Sequence, residues 1–333
     1  MNEPWDCIVI GGGAAGLSAA LVLGRARRTT LVIDAGRQSN LPAHAIGGLL
    51  GQDGTSPAAL YAAGHEQLEA LPSVELRGGE VARAERVERV GDAGAGFGGA
   101  ADAGGGGGAA ASRAGFALTL ADGSRELTRR LLIATGMDYV PLDLPGVAPL
   151  WGDSVFHCPF CHGWEVQGRP WAVLDGTPHG FDRALLARNW SDDVVLLSNG
   201  PATLADDEHA TLRQAGIALD ERPVAELRAD GGRLRAVAFA DGGELTRDAL
   251  LIGLTMEPRV ALAEQLGLRL DGRGAIAVDG FQRSSLDGVF AAGDAGGSMQ
   301  VAAALGSGGG AGGFLAMSLV AEDFGRAWPP LAR

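Results

Sequence analysis

Residues 7–34 read CIVIGGGAAGLSAALVLGRARRTTLVID, and the fold follows from how the period changes along this stretch. The apolar run 7–10 suits a buried strand, the glycines and alanines that follow suit a tight turn, a helical pattern extends to 28, and 30–33 suits a strand again. Arg25, Arg27 and Arg28 fall in the last turn of the helix, where cations meet the negative end of its dipole. The spacing Gly11-x-Gly13-x-x-Gly16, with Ala14 and Ala15 completing the loop, allows the backbone to turn sharply. It brings amides against a pyrophosphate at the positive helix end. Asp34 ends the second strand about 20 residues beyond the loop, where a carboxylate accepts hydrogen bonds from ribose hydroxyls, and Ala35 follows it. Acid in place of arginine disfavours a phosphorylated ribose. The competing reading is a glycine turn that only packs a helix on a sheet; strand, helix and acid in register favour a dinucleotide site. This loop alone does not separate FAD from NAD.

Outward from this unit the same elements recur. From residue 74 short alternating strands take over, with 116–120 and 126–133 flanking the turn Ala121-Asp122-Gly123-Ser124, a small antiparallel meander. Between its strands lies 91–115, dominated by glycine and alanine. It is expected to be a flexible hairpin insertion without chemistry, because it buries too little apolar surface to offset its ordering entropy. A second cycle follows: strand 171–174, helix 182–189, strand 194–197 and a meander through 234–239. The endings echo too, since LLIATGM at 131–137 resembles LLIGLTM at 250–256, as in a duplicated unit. The tail from Gly274 adds a strand, an acidic turn at Gly293-Asp294 and a small-residue helix that returns to complete the first unit. The expected fold is α/β, with two Rossmann-like dinucleotide-binding domains of three-layer ββα type, the second inserted in the first. Residues 1–142 and 251–333 are assigned to the outer domain and 143–250 to the insert.

Composition narrows the function. At 333 residues, 46% of them apolar, the chain suits two globular domains. Its formal charge of -13 argues against nucleic acid as a partner, because phosphate backbones need clustered cations. The sequence has no run of eighteen apolar residues and no secretory signal pattern at its start, so a cytoplasmic protein without membrane attachment is expected. Of three cysteines, Cys7 lies in the first strand as a small core hydrophobe. The other two stand as Cys158-Pro159-Phe160-Cys161, followed by His162.

Two thiols separated by two residues at a helix start close a small disulfide ring, and the helix dipole favours the thiolate. His162 has the ordinary pKa to carry a proton near neutrality. Three other readings compete. The c-type haem pattern CxxCH requires export, a zinc site needs about four ligands although His157 could join His162, and a structural staple is disfavoured in a reducing compartment. His157 by itself reads as a satisfied core or surface histidine. No metal ligand set is assigned.

Two further segments tip the first loop toward FAD. They are Ala134-Thr135-Gly136 and Gly288-Val289-Phe290-Ala291-Ala292-Gly293-Asp294, the latter resembling the carboxy-terminal FAD motif of flavoprotein disulfide reductases. With Gly11 to Gly16 and the cysteine pair in the second domain, the chain resembles the thioredoxin reductase family over nearly its whole length. That resemblance implies a homodimer whose domains rotate in turnover. It places Cys161 toward the flavin, Cys158 toward the substrate, and Asp294 on the ribityl and pyrophosphate region. It also puts His162 where an acidic proton donor commonly stands, and Gln300 near the flavin ring. Asn40 and Gln52 are candidate FAD contacts in a loop expected to help select the substrate, with plain turn residues as the alternative.

The second nucleotide loop departs from that pattern. It reads Asp175-Gly176-Thr177-Pro178-His179-Gly180, in which proline removes an amide donor, and Leu197-Ser198-Asn199-Gly200 carries no base for a 2′-phosphate. NADPH is therefore a doubtful cofactor. The segment Cys158 to Gly163, continued by Trp164-Glu165, and the stretch 184–193 resemble the subgroup of dithiol oxidases that close disulfides in gliotoxin-like and holomycin-like metabolites. That resemblance implies that a substrate dithiol reduces the pair, Cys161 passes electrons to the flavin, and dioxygen accepts them to give peroxide. The alternatives are an NADPH-driven reductase of thioredoxin or a similar protein and, from another class, a non-enzymatic flavin or zinc sensor.

Overall fold

The computed structural model describes residues 3–90, 113–140 and 142–328. The glycine-rich insertion expected at 91–115 lies almost wholly outside the described residues. The chain divides into two compact units, 1–39 with 58–138 and 258–333, and 40–57 with 139–257.

In the first unit, strand Trp5–Ile10 lies between Thr30–Asp34 and Arg125–Ile133, parallel to both, and Val74–Gly78 and Val289–Ala291 extend the parallel layer. Alternation decides what each face meets. Cys7, Val9, Val32 and Leu132 face helix Ala14–Arg25 and the long helix Val301–Asp323. Ile8, Ile10, Leu31, Ile33, Leu131 and Ile133 face the other way, onto Phe116 and Leu118 of the antiparallel strands. Strand Arg125–Ile133 serves both layers, pairing antiparallel with Arg113–Leu120 through 125–128 and parallel with Val289–Ala291 through 131–133. The result is helix, sheet and meander in three layers.

The long helix is apolar and long enough, by length and composition alone, to cross a membrane. Its packing has a specific cause. A Cβ at Gly308 would stand 2.0 Å from the Ala15 carbonyl oxygen and one at Gly312 2.6 Å from that of Ala19, so the two helices approach along glycines spaced one turn apart. At its far end Arg129, almost fully buried, contacts Asp6 at 2.7 Å and Asp323 at 2.6 Å, and Arg28 holds Asp323 at 2.8 Å. Each buried charge thus has an opposite partner.

The second unit repeats the plan. Five parallel strands run in the order Ala218–Asp220, Val194–Leu197, Trp171–Leu174, Ala249–Ile252 and Val155–Phe156. Trp171, Val173, Leu196 and Leu251 face Ala184 and Ala187 of helix His179–Ala187, while Ala172, Leu174, Val195 and Leu250 face Leu234, Val237 and Phe239 of the meander. The units part differently from the division expected at 142/143 and 250/251. Strand Ala249–Ile252 is central to the second sheet, so 251–257 belongs there, and 40–57 is grouped there too. The helix expected at 182–189 begins earlier, at His179.

Candidate active site

The carboxyl edge of the first sheet collects most of the residues singled out as cofactor ligands. Gly11 follows Ile10 with φ of 109°, and a Cβ there would sit 2.3 Å from the Ala134 carbonyl oxygen, so only glycine fits beside the 134–136 strand end. A Cβ at Gly16 would strike the Gly11 carbonyl oxygen at 1.8 Å, which is the close approach of helix to turn. Gly13 differs: its added Cβ would meet only Gln38, at 3.7 Å, so its surroundings are open. Gly13 caps the helix without a side-chain bond, and the amides of Ala14, Ala15 and Gly16 have no intrahelical acceptor. That is the donor set a pyrophosphate requires.

Asp34 reaches the same edge. Its Oδ1 accepts from the Gly12 amide at 3.1 Å and its Oδ2 from the Gln38 side-chain amide at 2.8 Å. Gln38 is a contributor that sequence reading missed, because nothing in a local motif marks a residue four positions past the strand. Thr135 donates its hydroxyl to the Arg259 carbonyl at 2.7 Å, and Arg259 donates to the carbonyls of Thr135 and Arg37. Gly293 closes the edge: its Cβ would approach that of Ala15 to 2.9 Å, and its amide donates to Ser307. Asp294 beside it is pushed up to about 6 by burial, opposed by the Arg259 charge. Gln300 precedes the long helix at φ of 75°, a conformation rarely found outside glycine. Ala35 is exposed at the strand end, and Asn40 falls in the segment grouped with the second unit. These donors and acceptors fit a dinucleotide such as FAD.

In the second unit strand Val155–Phe156 leads to a single helical turn, Pro159–His162, with Cys158 as its cap and Cys161 within it. They form a disulfide with Cα atoms 5.4 Å apart. Four residues align too few peptides for the dipole effect expected from a longer helix, and that expectation is corrected here. Gly47 touches the Cys161 backbone, where a Cβ would lie 2.4 Å from its carbonyl oxygen, so the 40–57 loop backs the pair. Phe160 and Trp164 are exposed beside it.

Both histidines neighbour the cysteines in the chain. The His162 ring stacks on Phe156 at 5.4 Å, and its two nitrogens are buried with no hydrogen-bond partner among the described residues. The backbone at Cys158 and Gly152 faces the ring outside hydrogen-bond geometry. Burial therefore lowers its pKa, in place of the unperturbed value assumed from sequence. His157 is held between Tyr139 at 4.6 Å and Trp151 at 5.6 Å, and burial, with the neighbouring His162 and Arg183, lowers it to about 4. It stands one residue from Cys158, the only sequence signal that marked it. Among the described residues no group of three or more His, Cys, Asp or Glu converges as a metal site.

The model of the pyridine nucleotide-disulphide oxidoreductase family matches residues 5–308. The chain belongs to that family. It is 34% identical to thioredoxin reductase tcpT of Claviceps purpurea over 87% of this chain and 86% of the relative. It is 30% identical to thioredoxin reductase aclD of Aspergillus oryzae over 88% of each. The crystal structure of HlmI superposes with a TM-score of 0.86 at 35% identity, over 97% of this chain and 94% of HlmI. The chain is a thioredoxin reductase-like, FAD-dependent oxidoreductase acting on sulfur groups.

Within this pyridine nucleotide-disulphide oxidoreductase the second nucleotide loop keeps the path of the first and loses its surface. The Asp175 amide bonds Leu197 as that of Gly11 bonds Ile33, and a Cβ on Gly180 would strike the Asp175 carbonyl oxygen at 2.3 Å, as one on Gly16 strikes Gly11. The helix cap is Pro178, which has no amide proton. Past the next strand, Ser198 bonds the Gly200 carbonyl and Asn199 accepts from the Val224 amide, with no cation among 197–200.

Proposed function

We propose that this enzyme oxidises a small dithiol to its disulfide with dioxygen as final acceptor and without NADPH. The carrying observation is the contrast between the two loops: the first has glycine at its cap and Asp34 at its strand end, whereas the second has proline at its cap and no base among 198–200. The redox pair is intact. The resemblance of Cys158 to Gly163 to dithiol oxidases supports the same direction of electron flow, as does the likeness to HlmI.

In this reading Gly11, Gly13, Ala14, Ala15 and Gly16 hold the FAD pyrophosphate, and Asp34 and Ala35 flank a ribose. Ala134, Thr135, Gly136, Gly293, Asp294 and Gln300 of the first unit complete the cofactor site. Bound FAD supplies a two-electron acceptor for the reduced cysteine pair, one that dioxygen regenerates with release of peroxide. Cys158 exchanges with the substrate: one substrate thiolate attacks its sulfur, the Cys158–Cys161 bond breaks, and Cys161 leaves as thiolate. The second substrate thiolate then displaces Cys158, closing the substrate disulfide and leaving both cysteines reduced. Each attacking thiol must lose a proton, and His162, next to Cys161 in the chain and kept neutral by burial, is the acceptor in this reading. Exposed Phe160 and Trp164 offer apolar surface to a small substrate. The protein is expected to work in the cytoplasm as a homodimer.

The deciding experiment is anaerobic titration of the purified flavoprotein with NADPH, NADH and a simple dithiol, followed by oxygen. Bleaching of the flavin band by dithiol alone, with colour restored by oxygen, is the expected result; rapid bleaching by NADPH refutes it. A second reading, NADPH-dependent reduction of thioredoxin, is favoured by the names of the fungal relatives and is tested in the same cuvette.

A further inference from the structure

The two loops of the duplicated fold differ in a way that explains how a nicotinamide donor is kept out, an inference that rests on the NADPH-independent reading above. Equivalent backbone bonds put Asp175 at the position of Gly11 and Gly253 at that of Ala134: Gly253 donates to Leu174 as Ala134 donates to Ile10. Small and larger residues are thereby exchanged. Where Gly11 leaves room for the Ala134 strand end, Gly253 leaves room for the Asp175 side chain, whose Oδ2 would lie 2.8 Å from a Cβ on residue 253.

The carboxylate fills the space thus made, its side chain only 2% exposed. Oδ1 accepts the Thr177 amide at 2.8 Å, and Oδ2 pairs with Arg183 at 3.2 Å. Arg183 also donates to the Ile252 carbonyl at 3.3 Å. Two more amides of the turn are engaged within it. His179 donates to the Thr177 hydroxyl at 3.2 Å, Gly180 donates to the Thr177 carbonyl at 3.0 Å, and Pro178 has none. Neither helix carries a side-chain cap, but the corresponding turn of the first unit has glycine where Asp175 stands.

We propose that Asp175 is the residue by which this enzyme excludes pyrophosphate-bearing nicotinamide donors, its buried carboxylate serving as an internal anion at the second nucleotide loop. It removes the Thr177 amide from the turn, spends the nearest arginine, and fills the space beside the Gly253 strand end with a carboxylate. It acts on donor specificity and takes no part in thiol exchange.

The test uses FAD-loaded enzyme, so that the first site is filled, and ADP-ribose, the redox-inert pyrophosphate half of NADH, as the calorimetric probe. Wild type is expected to show no saturable binding up to millimolar probe. D175G is expected to bind at least about tenfold more tightly than the wild-type limit. D175N keeps an acceptor for Thr177 but loses the charge, and is expected to fall between them. Unchanged flavin absorption and dithiol turnover establish that each variant is folded. If folded D175G binds ADP-ribose no better than wild type, or wild type binds it as tightly, the assignment is overturned; should D175G not fold, the same criterion applies to D175N. Reduction of the wild-type flavin by NADPH would overturn the dithiol-oxidase reading instead, so the two failures are distinct.

Discussion

Asp294 is predicted to burden the apoprotein and to be relieved by the cofactor. Its carboxyl lies at the carboxyl edge of the first sheet, and burial raises it from 3.8 to about 6. A carboxyl whose folded pKa is raised binds protons more readily when folded, so its ionised form opposes folding. Above pH 6 both folded and unfolded forms are ionised and the whole cost is present. Below about 4 both are protonated and the cost is gone. At 1.36 kcal/mol per unit, the shift amounts to about 3 kcal/mol at neutral pH, an order-of-magnitude figure for a partly screened group. Asp294→Asn removes the charge at nearly constant shape. The apo variant should therefore be more stable than apo wild type at pH 7.5, by about 1–3 kcal/mol, and the difference should shrink as pH falls from 6 toward 4. FAD should reverse the order, because hydroxyl donors on the cofactor compensate a carboxylate better than a carboxamide. Thermal unfolding of apo and FAD-loaded forms at pH 7.5 and 5, with flavin release followed by fluorescence, measures each quantity. An apo D294N that is less stable than wild type at pH 7.5, or a gain that persists unchanged at pH 5, refutes the reasoning.

Other expectations follow from the same geometry. C161S and C158S should each retain the flavin spectrum yet drop dithiol turnover below about one-hundredth of wild type, because exchange requires both sulfurs; steady-state assay of the two variants checks this. His157, lowered from 6.5 to about 4, binds fewer protons folded than unfolded, so stability should fall as pH drops from 6.5 to 4, by about 3 kcal/mol in total. Urea midpoints at pH 7 and 5 should show a smaller loss for H157F, whose ring still fills the space between Tyr139 and Trp151. Gly308→Ala should lower the melting temperature through a cost of about 1–3 kcal/mol or more, since its Cβ meets the Ala15 backbone, whereas Gly306→Ala, with nothing within 4 Å, should not.

Much of this molecule was legible one segment at a time. The strand, turn and helix of 7–28 are marked by neighbours in sequence, and the structure gives Trp5–Ile10, Ala14–Arg25 and Thr30–Asp34, the helix stopping before Arg27 and Arg28, which were expected in its last turn. Less local features escaped. Strand Ala249–Ile252 was placed at a domain edge because its partners, 171–174 and 155–156, are about 80 residues or more away. The role of Gln38 depends on where Asp34 points, and the histidine shifts depend on Phe156, Tyr139 and Trp151 stacking on the rings.

The chain's own pattern of glycine, apolar alternation and paired cysteines determined that two dinucleotide folds and a redox pair exist, because turn geometry and strand period are properties of adjacent residues. Whether each fold can hold a cofactor was decided only in three dimensions. The first and second loops follow one backbone path, and they differ in what lies between the strand ends: Gly11 close against Ala134 in one, the carboxylate of Asp175 against Gly253 in the other. Burial and amide pairing are set by residues distant in sequence, and they give one backbone path different surroundings in the two units.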